Sequence, residues 1–242
     1  MSTLDVIQHT SADYLGLMED HLEGRRIRFR YHRPFTEQGR VPAPGECGDG
    51  LILLGGGPWG SAGGRDVPSL AEEVALARSF LSLGRPVIGI ELGAQILCLA
   101  GGGSSRPRAL SFEVGSAVRT RSDALNGFLP ERVPRVSYMR DWPVPPPDAA
   151  VLAVDERERP AIFQLGANAI GFTGHPGFKP AIAEDLIMEF EEGPEDPVPT
   201  LEELRLRVRD IEDALVPIMT GLVQVTGLMQ VKHRIPVTLE NK

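Results

Sequence analysis

An α/β fold with a doubly wound, mostly parallel sheet flanked by helices is predicted by two observations. Short runs rich in Val, Ile and Leu recur at residues 4–9, 27–31, 50–54 and 86–90, too short for buried helices and apolar enough to be covered on both faces. Helical patterns alternate with them, at residues 12–22 and 69–83, and strand–helix alternation favours a right-handed parallel arrangement. In the second helix Ser69 is the expected N-cap, with Glu72 three residues on as its capping-box partner.

From residue 109 to 173 the strands become shorter and less regular. A Pro-rich stretch, WPVPPP at 142–147, reads as a loop between them, followed by strands at 149–154, 161–165 and 169–173. Helix returns at 179–190. These elements make residues 1–190 one domain, with the Pro- and Glu-rich residues 191–199 as a linker. Residues 200–242 form a C-terminal helical extension, in which Leu201, Leu204, Val208, Ile211, Leu215, Ile218, Leu222, Val225 and Met229 step by three and four. This stripe suits either packing on the same chain or a seam at 201–229 with a second copy or a partner. Pro217, which lacks an N–H, is expected to kink the helix.

Composition narrows the function. The 242 residues carry 25 Lys and Arg against 33 Asp and Glu, a net charge of −8, which gives no general attraction to nucleic acid or acidic membranes. The run at 25–33 is rich in arginine, but Ile27, Phe29 and Tyr31 alternate with Arg28 and Arg30, as in a strand with one solvated face. Two cysteines fit a reducing compartment, and no run reaches the roughly 18 apolar residues of a membrane span. The first ten residues carry acid and polar groups where a secretory leader is apolar, so the expected location is the cytoplasm. No phosphate loop, zinc-ligand spacing or dinucleotide fingerprint is present, so neither a cofactor nor a metal is implied.

The chemistry gathers at three segments. GIELGAQI, residues 89–96, places small residues around a central side chain where a buried strand turns into a helix, which is what a nucleophile elbow requires. Its apex, Glu91, should stand at the carboxyl ends of the strands, where open α/β sheets build ligand sites. LLGGGPWG at 53–60 follows another strand with glycines whose N–H groups suit an oxyanion. GFTGHPGF at 171–178 sets His175 between a strand and a helix.

Together with IQH at 7–9 and the elbow Gln95, these segments resemble the class I glutamine amidotransferase family, especially the amidotransferase domain of GMP synthase, over residues 4–190. The resemblance implies a cysteine at the elbow, a histidine and a glutamate two residues after it, and ammonia handed to a partner synthase. Matched position by position, the cysteine site holds Glu91, the histidine is His175, and the glutamate site holds Gly177. A carboxylate is a weak nucleophile toward an amide, and a histidine without an acidic orienter loses support for its charged form. Neither Cys98, about two helical turns or roughly 10 Å beyond Glu91, nor Cys47, at the opposite end of the sheet, can replace the thiol.

The resulting expectation is a protein without glutaminase activity that binds a ligand or serves as a non-catalytic subunit of a larger enzyme. Gly56, Gly57, Gln95 and Trp59 would line a pocket for a small amide or amine metabolite. An altered chemistry is the alternative, a hydrolase or transferase using Glu91 and His175 as an acid–base pair; a working amidotransferase is the second alternative. A metal on Glu91 and His175 would need a further ligand, for which Asp141 and Glu113 are the only guesses. His9 and Trp142 complete the residues placed near the carboxyl edge.

Overall fold

The computed structural model describes residues 1–229. In chain order the first half comprises β1 (Thr3–Ile7), α1 (Met18–Gly24), β2 (Arg28–His32), β3 (Gly50–Leu53), α2 (Leu70–Ser82), β4 (Val87–Ile90) and α3 (Leu92–Ala100). The second half comprises β5 (Ser104–Arg106), β6 (Ser111–Arg119), β7 (Arg132–Met139), β8 (Trp142–Val144), β9 (Ala150–Asp155), β10 (Pro160–Leu165), β11 (Ala169–Phe172), α4 (Pro180–Glu189) and α5 (Pro197–Thr226). Nine strands form one sheet in the order β2-β1-β3-β4-β11-β10-β9-β6-β7, and β5 pairs with β8 in a separate ribbon.

The strands from β2 to β11 in that order run parallel, and those from β11 to β7 are antiparallel. The parallel part is buried on both faces, as its unbroken apolar runs require. Leu4, Val6, Ile52 and Ile88 pack on α1 and the C-terminal half of α5 through Met18, Leu22, Leu215 and Ile218. Ile7, Leu51, Leu53 and Val87 face α2 and α3 through Leu76, Phe80, Ile96 and Leu97. Parallel strands share one direction, so the segments after β1, β3, β4 and β11 all emerge at the same edge.

Four expectations are corrected by the fold. The helix expected at 12–22 is reduced to α1, because Gly16 takes a positive φ of 60° and the preceding backbone is held elsewhere. Asp13 N–H donates to Thr10 Oγ1, and Leu17 N–H donates to the Gly177 carbonyl. The stretch expected as a loop at 142–147 begins with β8, where Pro143 is tolerated because the ribbon has only two strands. Ser69 is the N-cap of α2 but makes no capping-box bond; its hydroxyl donates to Glu73 instead. The helix assigned to residues from 200 onward starts at Pro197, inside the expected linker, since proline suits a first helical turn.

Helix α5 runs without interruption through Pro217. Its stripe turns inward on its own chain: Leu204 and Ile211 pack with α4, Phe112 and Tyr138, while Leu215, Ile218 and Leu222 join the core under the parallel strands. Of the two uses expected for the stripe at 201–229, packing on the same chain or a seam with a second chain, the first accounts for most of it, while Leu206 and Val216 beside it and Met229 at its end are exposed. Residues 230–242 of the expected extension lie outside the described residues.

Candidate active site

The elbow sits where β4 turns into α3. Glu91 holds φ 54° and ψ −109°, a backbone conformation that side chains rarely adopt. The turn is fixed by Glu91 N–H donating to the Phe172 carbonyl (2.8 Å) and by Gly93 N–H donating to the Leu54 carbonyl (2.9 Å). It closes only because its neighbours are small: a Cβ on Gly93 would collide with the Leu53 carbonyl, and one on Gly89 with the Gly93 backbone. Glu91 is completely buried, and its Oε1 accepts the Tyr138 N–H at 2.7 Å. Oε2 has no hydrogen-bond partner.

Beside Oε2 stands Asp13, from the segment between β1 and α1. It too is completely buried, and neither of its carboxylate oxygens has a hydrogen-bond partner. A Cβ on Gly55 would collide with Asp13 Oδ2 and Glu91 Oε2 alike, so the two carboxyls converge on the same point above that glycine. Two carboxyls brought together away from water cannot both ionise. Burial, then the Asp13 charge, pushes the Glu91 pKa well above the usual carboxylate range. Burial likewise raises Asp13 to about 7, against an opposing pull from His9. Protonation of these carboxyls is what makes their approach tolerable.

His9 supplies the positive charge behind this pair. Its Nδ1 lies 2.8 Å from the Gly55 carbonyl and its Nε2 lies 2.7 Å from Glu73 Oε2, so both nitrogens face acceptors and both carry a proton. Burial on its own would discharge the ring, but the Glu73 charge and these hydrogen bonds raise its pKa. Glu73 is buried on the same stripe of α2 as Leu76, Ala77 and Phe80.

His175 does not join Glu91. Its Nε2–H donates to the Tyr14 carbonyl (2.8 Å), and its Nδ1 accepts the Gly177 N–H (3.1 Å). Both nitrogens are committed in the neutral form, and burial lowers the pKa to about 4. His175, expected to pair with Glu91, is thus bonded elsewhere, and the titratable side chain beside Glu91 is that of Asp13. There is also no room for an acid at Gly177, where a Cβ would stand 2.9 Å from both Met18 Cγ and Met18 N.

The expected ligand-binding residues have structural duties. Gln95 is fully buried, with its carbonyl accepting from Ser61 Oγ (2.6 Å) and its amide donating to the Arg140 carbonyl (2.6 Å). Gly56 lies under the Leu92 side chain, and Gly57 packs against Leu186 and Phe190. Trp59 stands apart from the carboxyls, stacked under Arg65 and sharing a small cleft of about 70 Å³ with His9 and Phe35. Asp141 accepts backbone N–H groups from Ser61, Ala62 and Arg108, and Glu113 is held by arginines. Neither reaches Glu91 as a third metal ligand, and among the described residues no group of three His, Cys, Asp or Glu side chains could hold a metal ion. Cys98 is buried in the core and Cys47 half-buried, its thiol pushed up by burial to about 11.

No protein-family model matches the chain. In sequence it is 28% identical to a glutamine-hydrolyzing GMP synthase subunit from Ignicoccus hospitalis over 146 residues, 60% of this chain and 74% of that protein. In structure it matches a glutamine amidotransferase from Methylobacillus flagellatus with a TM-score of 0.77 and 21% identity, over 93% of this chain and 95% of the other. A glutamine amidotransferase from Thermotoga maritima matches with a TM-score of 0.71 and 22% identity, over 95% and 98%. The fold is that of the class I glutamine amidotransferases. Within it, the segments after β1 and β3 and the end of β11 meet at Glu91, and among the described residues no helix is long and apolar enough to cross a membrane.

Proposed function

We propose that this chain is a class I glutamine amidotransferase-like protein that has lost glutamine hydrolysis and acts as a ligand-binding or non-catalytic subunit of a larger enzyme. The observation that carries the reading is the state of Glu91: a buried carboxyl at the elbow apex, bound to the Tyr138 N–H and facing the buried Asp13 carboxyl above Gly55, which pushes its pKa well above the usual carboxylate range. A protonated carboxyl is a poor nucleophile, and His175 has no free nitrogen with which to activate one. On this reading Glu91 stands at the position of the family's cysteine and Gly177 at that of its glutamate. The similarity to a protein named as part of a GMP synthase supports a subunit role beside a synthase partner. The unbridged cysteines support a reducing, cytoplasmic setting. The test is ammonia release from glutamine by the purified chain: none above a protein-free blank is expected, and sustained release abolished by Glu91→Gln overturns the reading.

The carboxyl pair favours one second reading. Two carboxyls holding one proton are a general acid–base arrangement, suited to a hydrolase or transferase acting on a small amide or amine. Both carboxyls are completely buried, so such a substrate would reach Glu91 only through a rearrangement of what covers them.

A further inference from the structure

Away from Glu91, a groove of about 340 Å³ opens between the β5–β8 ribbon and the start of β10. Arg106, Arg108 and Arg159 line it together with Trp142, Pro143 and Pro160. On a chain of net charge −8 this is a concentration of cations. Arg108 and Arg159, with Arg135 and Arg157 behind them, converge on the single carboxylate of Glu113, which is held at about 2 because hydrogen bonds from Arg108 and Arg135 overcome its burial. Asp155 balances Arg159 through Oδ2, at 2.8 Å from Nε. Arg106 is exposed and, among the described residues, its guanidinium has neither an ion pair nor a hydrogen bond.

Trp142 lines the groove while 7% exposed, and its own indole N–H is buried without a hydrogen-bond partner. The Arg159 guanidinium lies 3.9 Å from the centre of the Trp142 ring, which fixes its plane, and the prolines supply rigid apolar walls without N–H groups. Planar guanidiniums pair with phosphate oxygens two at a time. A cavity of this size encloses one small molecule.

We propose that this groove binds a phosphate monoester with an apolar body, its phosphate on Arg106 and Arg108 and its body against Trp142 and the proline walls. The site is independent of Glu91 and His175, neither of which lines the groove.

Phenyl phosphate is the probe, titrated calorimetrically into the full chain beside inorganic phosphate and phenol. Phenyl phosphate is expected to bind at least tenfold more tightly than either. Arg106→Glu, at an exposed residue whose guanidinium has no partner among the described residues, should leave the thermal midpoint unchanged and weaken binding at least tenfold; Trp142→Phe should weaken it severalfold. No binding at millimolar concentration, equal affinity for inorganic phosphate, or affinity indifferent to Arg106→Glu overturns the proposal.

Discussion

Asp13 Oδ2 and Glu91 Oε2 converge on one point above Gly55, completely buried and without a hydrogen-bond partner on either oxygen. The glycine makes this approach sterically feasible, and protonation makes it electrostatically tolerable. The native state thus retains at Asp13, up to about pH 7, a proton that the unfolded chain releases near its ordinary value of 3.8. The folded state binds more protons across that interval, so this contribution makes stability fall as pH rises from about 4 to 7. Asp13→Asn should remove the penalty. At pH 8 it is expected to stabilise the protein by on the order of 2–4 kcal/mol, with the advantage vanishing below pH 4. Thermal melts of both proteins from pH 4 to 8 check this; parallel curves would refute the proton retained at Asp13.

The two buried histidines should titrate in opposite senses. His9 faces acceptors on both nitrogens, and its raised pKa contributes stability that is present below 6.5 and lost as pH climbs through the folded value above it. His175, held neutral down to about 4, behaves conversely: between pH 6.5 and 4 the unfolded chain gains a proton that the fold refuses, so stability falls with acid. Nitrogen-15 NMR at pH 7 should show His9 with both nitrogens protonated and His175 as the Nε2–H tautomer. A His175 signal that titrates near 6.5 contradicts the geometry.

The parallel half of the fold was legible because its strands are buried on both faces, which leaves continuous apolar runs such as those of β3 and β4. The elbow was legible because close backbone approach demands glycine at 89 and 93. Asp13 and Glu73 were not recognised. Asp13 lies within the run Ala12, Leu15, Met18 and Leu22, whose three-and-four spacing imitates a helix, although Gly16 is a visible breaker. Glu73 did leave a signal, an acid on the stripe of Leu76, Ala77 and Phe80, but a capping pattern with Ser69 drew attention to Glu72. The direction of His175 was invisible, since it depends on Tyr14 and Gly177 carrying their backbone groups to its two nitrogens.

Restoring the family's residues one at a time should not restore its chemistry. Glu91→Cys is expected to fold but to release no ammonia from glutamine, because His175 remains committed to Tyr14 and Gly177. Gly177→Glu forces a side chain against Met18 and the Leu15 carbonyl, 2.9 and 3.1 Å from its Cβ, and should destabilise the protein by about 1–3 kcal/mol or more. The double variant should therefore be less stable and still silent in an ammonia assay. Glutaminase activity in it would show that residues 15–18 yield easily and that the segment over His175 is not a fixed obstacle.

The covering of α5 by its own chain can be tested through a glycine. In an exposed helix interior, Gly→Ala stabilises by roughly 1 kcal/mol because alanine gives up less chain entropy. Gly221 lies instead where α5 crosses the 3₁₀ turn Ala124–Gly127, and a Cβ there would stand 2.6 Å from the Leu125 carbonyl oxygen and 2.7 Å from Leu125 Cβ. The turn has little freedom to retreat, since Leu125 and Asn126 already hold positive φ values of 50° and 56°. Steric overlap should outweigh propensity, so Gly221→Ala is expected to cost about 1–3 kcal/mol in denaturant unfolding. Val216→Ala, at a half-exposed position on the same helix, should change stability by less than about 0.5 kcal/mol. A stabilising Gly221→Ala would mean that α5 stands off this turn in solution, leaving its apolar stripe available to a second chain.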